Sequence, residues 1–176
     1  MKKIKVVGVL VIFALTVLYH FLYEWFPNPV FSVLFPVNES IWEHMKLLYS
    51  GILTWGIVEY FILKRKNIKF TNYFSSLFLT MITSIIVYLI LYLPLYSLFK
   101  ENMFISIGLL IIVIILMEIF NYYLIIRKEE NWFLDKVSII LIILGYVVFL
   151  SLTYDPPRNY IFYDTTENKY GIDIYS

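Results

Sequence analysis

The chain reads as an all-α integral membrane protein with five transmembrane helices, its N-terminus inside and its C-terminus outside. Three observations predict this. Of the 176 residues, 61% are hydrophobic and 15% are charged, whereas soluble domains carry about 45–50% and about 25%. The mean hydropathy is correspondingly high, +0.78. Five apolar stretches approach the roughly 20 residues that a helix needs to cross a roughly 30 Å hydrocarbon core. The basic residues then gather at alternate ends of those stretches.

The stretches run over about 6–26, 47–63, 74–99, 103–126 and 137–154, each bounded by charge or proline. Placing the N-terminus inside puts Lys2, Lys3, Lys5, Lys64, Arg65, Lys66, Lys69, Arg127, Lys128 and Lys136 on the inner side. Lys46, Lys100, Arg158 and Lys169 fall outside. That bias sets the orientation. The apolar run behind the basic N-terminus is too long for a signal-peptide core and lacks a small-residue cleavage site, so it reads as a retained anchor. Residues 1–154 form the transmembrane domain, and 155–176 form an outer tail.

Smaller features follow from composition. The net charge of +1 offers no field for nucleic acid, and with no cysteine there are no disulfides or thiolate ligands. No phosphate-binding glycine loop or serine-hydrolase elbow is present. No Gly-x-x-x-Gly occurs, so helix contacts are expected to rest on large side chains. In the tail, Pro156-Pro157 stops the last helix. Stretches 160–164 and 169–174 flank a polar tip and suggest a hairpin lid over the outer face. Asp155, Asp164, Glu167 and Asp173 lack calcium-loop spacing, so calcium is a minor alternative there.

Ionisable residues at depth are costly and need partners, which makes them informative. Two groups stand out. At the outer end, His20 and Glu24 share a helix face, and the loop reads Phe35-Pro-Val-Asn38-Glu39-Ser40-Ile-Trp-Glu43-His44-Met-Lys46. Ser40 and Glu43 have capping-box spacing, which accounts for them, Asn38 and Glu39 as helix-start residues. The same region also supplies two imidazoles and three carboxylates. His20, Glu24, Glu39, Glu43 and His44 are therefore candidate ligands for a divalent metal such as zinc, manganese or iron. The second group is Glu59 and Glu118, at matched depth in the inner third, with Asn121 one turn beyond Glu118. Thr80, Thr83 and Ser84 could extend a polar seam. These acids either couple to a proton or cation, or simply hold helices together, reaching for Lys64 or Arg127.

The segments His20-Phe-Leu-Tyr-Glu-Trp25, Val37-Asn-Glu-Ser-Ile-Trp-Glu-His-Met-Lys-Leu47, Tyr154-Asp-Pro-Pro157 and Lys169-Tyr-Gly-Ile172 resemble a family of small, uncharacterised membrane proteins from Gram-positive bacteria. The Asn-Glu-Ser-x-Trp-Glu-His-x-Lys core carries most of the resemblance. Tyr163-Asp-Thr165 departs from the Asp-Pro step of that family's tail. The resemblance implies a bacterial cell membrane and no particular chemistry.

The leading expectation is a small transporter, or a membrane component of a larger complex, with an outward polar vestibule over an intramembrane carboxylate pair. The alternative is a metal-dependent hydrolase or transferase acting on a lipid-linked substrate at the outer leaflet. A purely structural subunit is the third reading. The expected partners are the lipid bilayer and a membrane subunit or second copy.

Overall fold

The computed structural model describes residues 1–100, 102–127 and 129–172. Lys128 of the basic loop, Asp173 and the far end of the expected second hairpin strand lie outside the described residues. The elements are α1 (Lys2–Trp25), α2 (Pro29–Leu34), α3 (Ile41–Arg65), α4 (Tyr73–Phe99), α5 (Met103–Ile125), α6 (Trp132–Tyr154), β1 (Tyr163–Asp164) and β2 (Lys169–Tyr170). Five of the helices are long and apolar enough to cross a membrane. They coincide with the five expected spans.

Asparagines start several of the helices. Asn28 accepts hydrogen bonds from the amides of Val30 and Phe31 and has Pro29 behind it, so α2 begins there. Asn102 accepts from Phe104 and Ile105, and Asn131 from Leu134. Asn72 takes a left-handed conformation, φ 47°, which asparagine tolerates. Its side chain bonds the Glu129 carbonyl and the Asn131 amide, tying the start of α4 to the start of α6. The Asp135 carboxylate on α6 accepts from the Ser75 amide and completes that tie.

The least apolar span, α3, is also the most enclosed. It packs against α1 and α4, α5 packs against α1 and α4, and α6 lies against α4 and carries α2. One end of the bundle bears α2 and the β-hairpin and is called the hairpin end here. The other bears 2–5, 64–69 and 127–136 and is the basic end.

The helix of the second span begins at Ile41, just after the capping residue Ser40, and takes in Glu43, His44 and Lys46. The structure revises two sequence expectations. The six-residue α2 was not foreseen, because it is shorter than any hydropathy window. Glycine also matters more to packing than the missing Gly-x-x-x-Gly suggested. A Cβ at Gly51 would lie 3.1 Å from Thr16 Cγ2 and 3.7 Å from the Ile12 carbonyl oxygen, so α1 and α3 approach closely there. At Gly145 a Cβ would lie 2.0 Å from the Tyr49 hydroxyl, which donates to the Ile142 carbonyl and is buried. Gly145→Ala should therefore displace Tyr49 and cost about 1–3 kcal/mol. Gly108→Ala, with nothing within 4 Å of the added carbon, should hold or raise stability. Thermal midpoints of the two variants in one detergent check the contrast.

The tail folds as expected into a short antiparallel hairpin, pairing Tyr163 with Tyr170 and Asp164 with Lys169. Asp164 Oδ1 accepts from the amides of Thr166 and Glu167 and shapes the turn. The tail docks onto 36–42 through Trp42 N–H to the Ile161 carbonyl, Asn38 Nδ2 to the Gly171 carbonyl, and Glu39 N–H to Asp164 Oδ2.

Candidate metal centre and the buried ion pairs

The candidates at the hairpin end separate into two groups with different surroundings. His20 projects from α1, His44 from the first turn of α3, and Glu39 from the loop just before it. His44 Nε2 lies 3.4 Å from His20 Nε2. Glu39 Oε2 lies 3.4 Å from His44 Nε2 and 3.7 Å from His20 Nε2. Three donors on a zinc-like ion, with bonds of about 2.0–2.1 Å at tetrahedral angles, lie about 3.3–3.4 Å apart. The triangle is thus of the size that one ion would need, and these are the residues of the chain grouped tightly enough to hold a metal among those described.

Supporting contacts point the same way. His44 Nδ1 lies 2.9 Å from the Ser40 carbonyl, which only accepts, so in neutral His44 the proton sits on Nδ1 and the lone pair on Nε2. Metal-binding histidines are commonly oriented by such a bond. When His44 is protonated on both nitrogens and no ion is bound, its Nε2–H donates to Glu39 and holds that carboxyl below its ordinary range. Partial burial opposes this, while the charge that His44 and His20 take when protonated assists it. The Glu39 backbone is pinned by buried Asp164.

Glu24 and Glu43, also expected as ligands, do not join this triangle. Glu24 is exposed near the end of α1. Glu43 turns into the bundle, where Lys46 Nζ lies 2.6 Å from its Oε2. Glu43 Oε1 accepts from Thr153, and Oε2 accepts from the Val37 amide. The capping box is thus half formed. Ser40 does accept from the Glu43 amide, but Glu43 reaches Val37 instead of returning to Ser40. Asn38 caps locally by accepting from the Ser40 amide. In the tail, Asp164 is committed to backbone amides, and Glu167 pairs with Lys169.

Lys46 was read as a flanking charge, yet it is fully buried and also donates to the Ser32 carbonyl and Thr153 Oγ1. The available signal was its position three residues after Glu43, inside a helix.

Toward the basic end the structure brings Glu59 and Glu118 to one place, as their matched depth suggested. The group between them is Lys5, neither Lys64 nor Arg127. Lys5 Nζ lies 2.7 Å from both oxygens of Glu59 and 3.5 Å from Glu118 Oε2, and it donates to Asn121 Oδ1. Asn121 donates to Thr80, Thr80 to the Ser76 carbonyl, and Tyr73 to Glu59 Oε2. Ser84 turns back onto the Met81 carbonyl of its own helix and stays out of this network. Lys5 also looked like a flanking charge, but it lies in register with the buried α1 stripe of Gly8, Ile12, Thr16 and Tyr19. Gly8 leaves room on that stripe. A Cβ there would fall 2.4 Å from Trp55 Nε1 and 2.8 Å from Glu118 Oε2.

The family model described as a family of unknown function, DUF6512, matches residues 1–172. The chain belongs to this family. Searches of the curated proteins and of the solved structures find no match. For this DUF6512 chain the family label adds no chemistry, so the function has to be argued from the site itself. That site opens into a cavity of about 370 Å³ whose walls come from α1, α3, α4, α5 and the hairpin. His20, Glu39 and His44 lie on its lining, and Tyr163 and Thr165 of the hairpin contribute to it.

Proposed function

We propose that this chain is a metal-dependent enzyme of the outer membrane face, hydrolysing or transferring a group of a lipid-linked substrate. His20, Glu39 and His44 would bind a zinc-class divalent ion. The observation that carries this reading is the 3.4, 3.4 and 3.7 Å triangle at the wall of a cavity large enough for a small-molecule segment. Structural zinc sites are closed by four protein ligands, whereas catalytic ones use three and keep a position open. Held by His20, Glu39 and His44, such an ion would supply Lewis acidity toward a water and toward the bond under attack.

Orientation supports the outer location. With buried Lys5 and Lys46 removed from the flanking charges, eight cations among the described residues remain at the basic end and three at the hairpin end. That bias favours the hairpin end as the outer one. The carboxylate pair gives less support to transport, because Lys5 stands where a coupling cation would sit.

The test is metal analysis of protein purified without chelator and then equilibrated with zinc. We expect one zinc per chain, lost in His20→Ala and His44→Ala and kept in Glu24→Ala, with helix content unchanged in all three. Protein that takes up no zinc, or that keeps it in His44→Ala, overturns the proposal.

A further inference from the structure

We infer that the substrate is a membrane lipid with an anionic headgroup, admitted sideways from the bilayer between α1 and α5. This rests on the metal reading above for the partner of the headgroup. The argument starts from the shape of the cavity. Along α1 its lining runs from His20 to Phe13, and along α4 from Tyr96 to Tyr88. At about 1.5 Å per residue these are about 10–12 Å of depth. The histidines and Glu39 occupy one end, and the shaft below is walled mainly by aliphatic and aromatic side chains.

One wall of the shaft is incomplete. Val17 and Phe21 of α1, and Met103 and Ile107 of α5, line the cavity and are also exposed on the flank of the bundle. The two helices are joined toward the basic end, where Lys5 meets Glu118 and Asn121. The gap between them therefore opens toward the hairpin end, on the surface that the five spans turn to hydrocarbon. An apolar shaft that opens on this side is suited to an acyl chain. His20 lies about 8 Å inside the end of α1, the depth at which headgroups sit.

The charge of the headgroup follows from the lining. Among the described residues, no lysine or arginine lines the cavity. A divalent ion held by two neutral imidazoles and one carboxylate keeps one positive charge. Among the described lining, that ion is then the cation available to attract an anionic oxygen, such as that of a phosphate ester.

The experiment uses the full chain, zinc-loaded, in phosphatidylcholine vesicles. The probes are phosphatidylglycerol and diacylglycerol, each with a photoreactive diazirine on one acyl chain. Crosslinks are mapped by mass spectrometry. We expect phosphatidylglycerol labels to concentrate on Val17, Phe21, Ile107 and Leu110. Leu110→Trp, which fills the shaft, and Val17→Trp, which obstructs its mouth, should each reduce them at least fivefold while zinc content is kept. Zinc removal should reduce phosphatidylglycerol labelling several-fold and leave diacylglycerol labelling unchanged. Labels spread evenly over α5 and α6 and indifferent to both tryptophans, on protein that holds zinc, overturn this inference alone. Cleft labelling by both probes on protein that binds no zinc overturns the metal reading and the headgroup assignment together.

Discussion

Lys5→Met is expected to destabilise the folded chain by about 3–5 kcal/mol, the cost of breaking a buried ion pair from one side. Glu59 is 2% exposed and Glu118 4%, and Lys5 is the cation that reaches both. Without it, two carboxylates face apolar helices, and among the described residues the Tyr73 hydroxyl is the donor left to Glu59. The loss is not a simple lack of attraction, because each acid was desolvated on folding and keeps that penalty. Pairing the change with Glu59→Gln should recover a large part of the stability. Glu118→Gln in the unaltered chain should be mild, since its contact with Lys5 is the longer one, 3.5 Å. Thermal midpoints of the single and double variants, read by size exclusion in detergent, form the cycle. A Lys5→Met protein that melts with the parent would mean the cluster contributes nothing to stability.

Lys46→Met is the second large effect. Its ammonium lies 2.6 Å from Glu43, 2.7 Å from the Ser32 carbonyl and 2.7 Å from Thr153 Oγ1, joining α3 to α2 and α6. Removing it leaves Glu43, 1% exposed, as a buried anion and again costs about 3–5 kcal/mol. The consequence should reach further than stability. Val37 bonds Glu43, and the segment from Val37 leads directly to Glu39. Faster amide exchange over 29–39 and weaker zinc uptake are therefore expected, although Lys46 does not line the metal cavity. Replacing Glu43 and Lys46 together by Leu and Met should be less harmful than Lys46→Met alone. Equal harm in the double variant would show that volume and hydrogen bonds, not the unpaired charge, set the cost.

Much of this architecture was legible in the sequence, for identifiable reasons. A bilayer demands long apolar helices, so hydropathy alone located the five spans. Depth arithmetic put Glu59 and Glu118 at one level, because helices rise by a constant amount per residue, but not on facing helices. The partner of both acids was not legible. Lys5 lies among terminal lysines and looks like an anchor until the buried stripe of α1 is traced. The metal candidates were gathered into one group of five because loop residues near a helix start have no fixed direction. His44 and Glu43 are adjacent, so they point to different faces of α3, and sequence order says nothing of which faces His20. The short α2 escaped notice for a different reason, since its capping residue Asn28 and Pro29 were visible but its length was below any periodicity.

The bond from the Glu39 amide to Asp164 ties the metal candidate to a residue 125 positions further along the chain. Threading the five apolar helices into a bilayer does not by itself make that contact. The loop bearing Glu39 gains its tether only when the hairpin beyond α6 has folded onto it. A substitution that loosens the hairpin, such as Asp164→Ala, would therefore be felt in metal loading long before it was felt in membrane insertion.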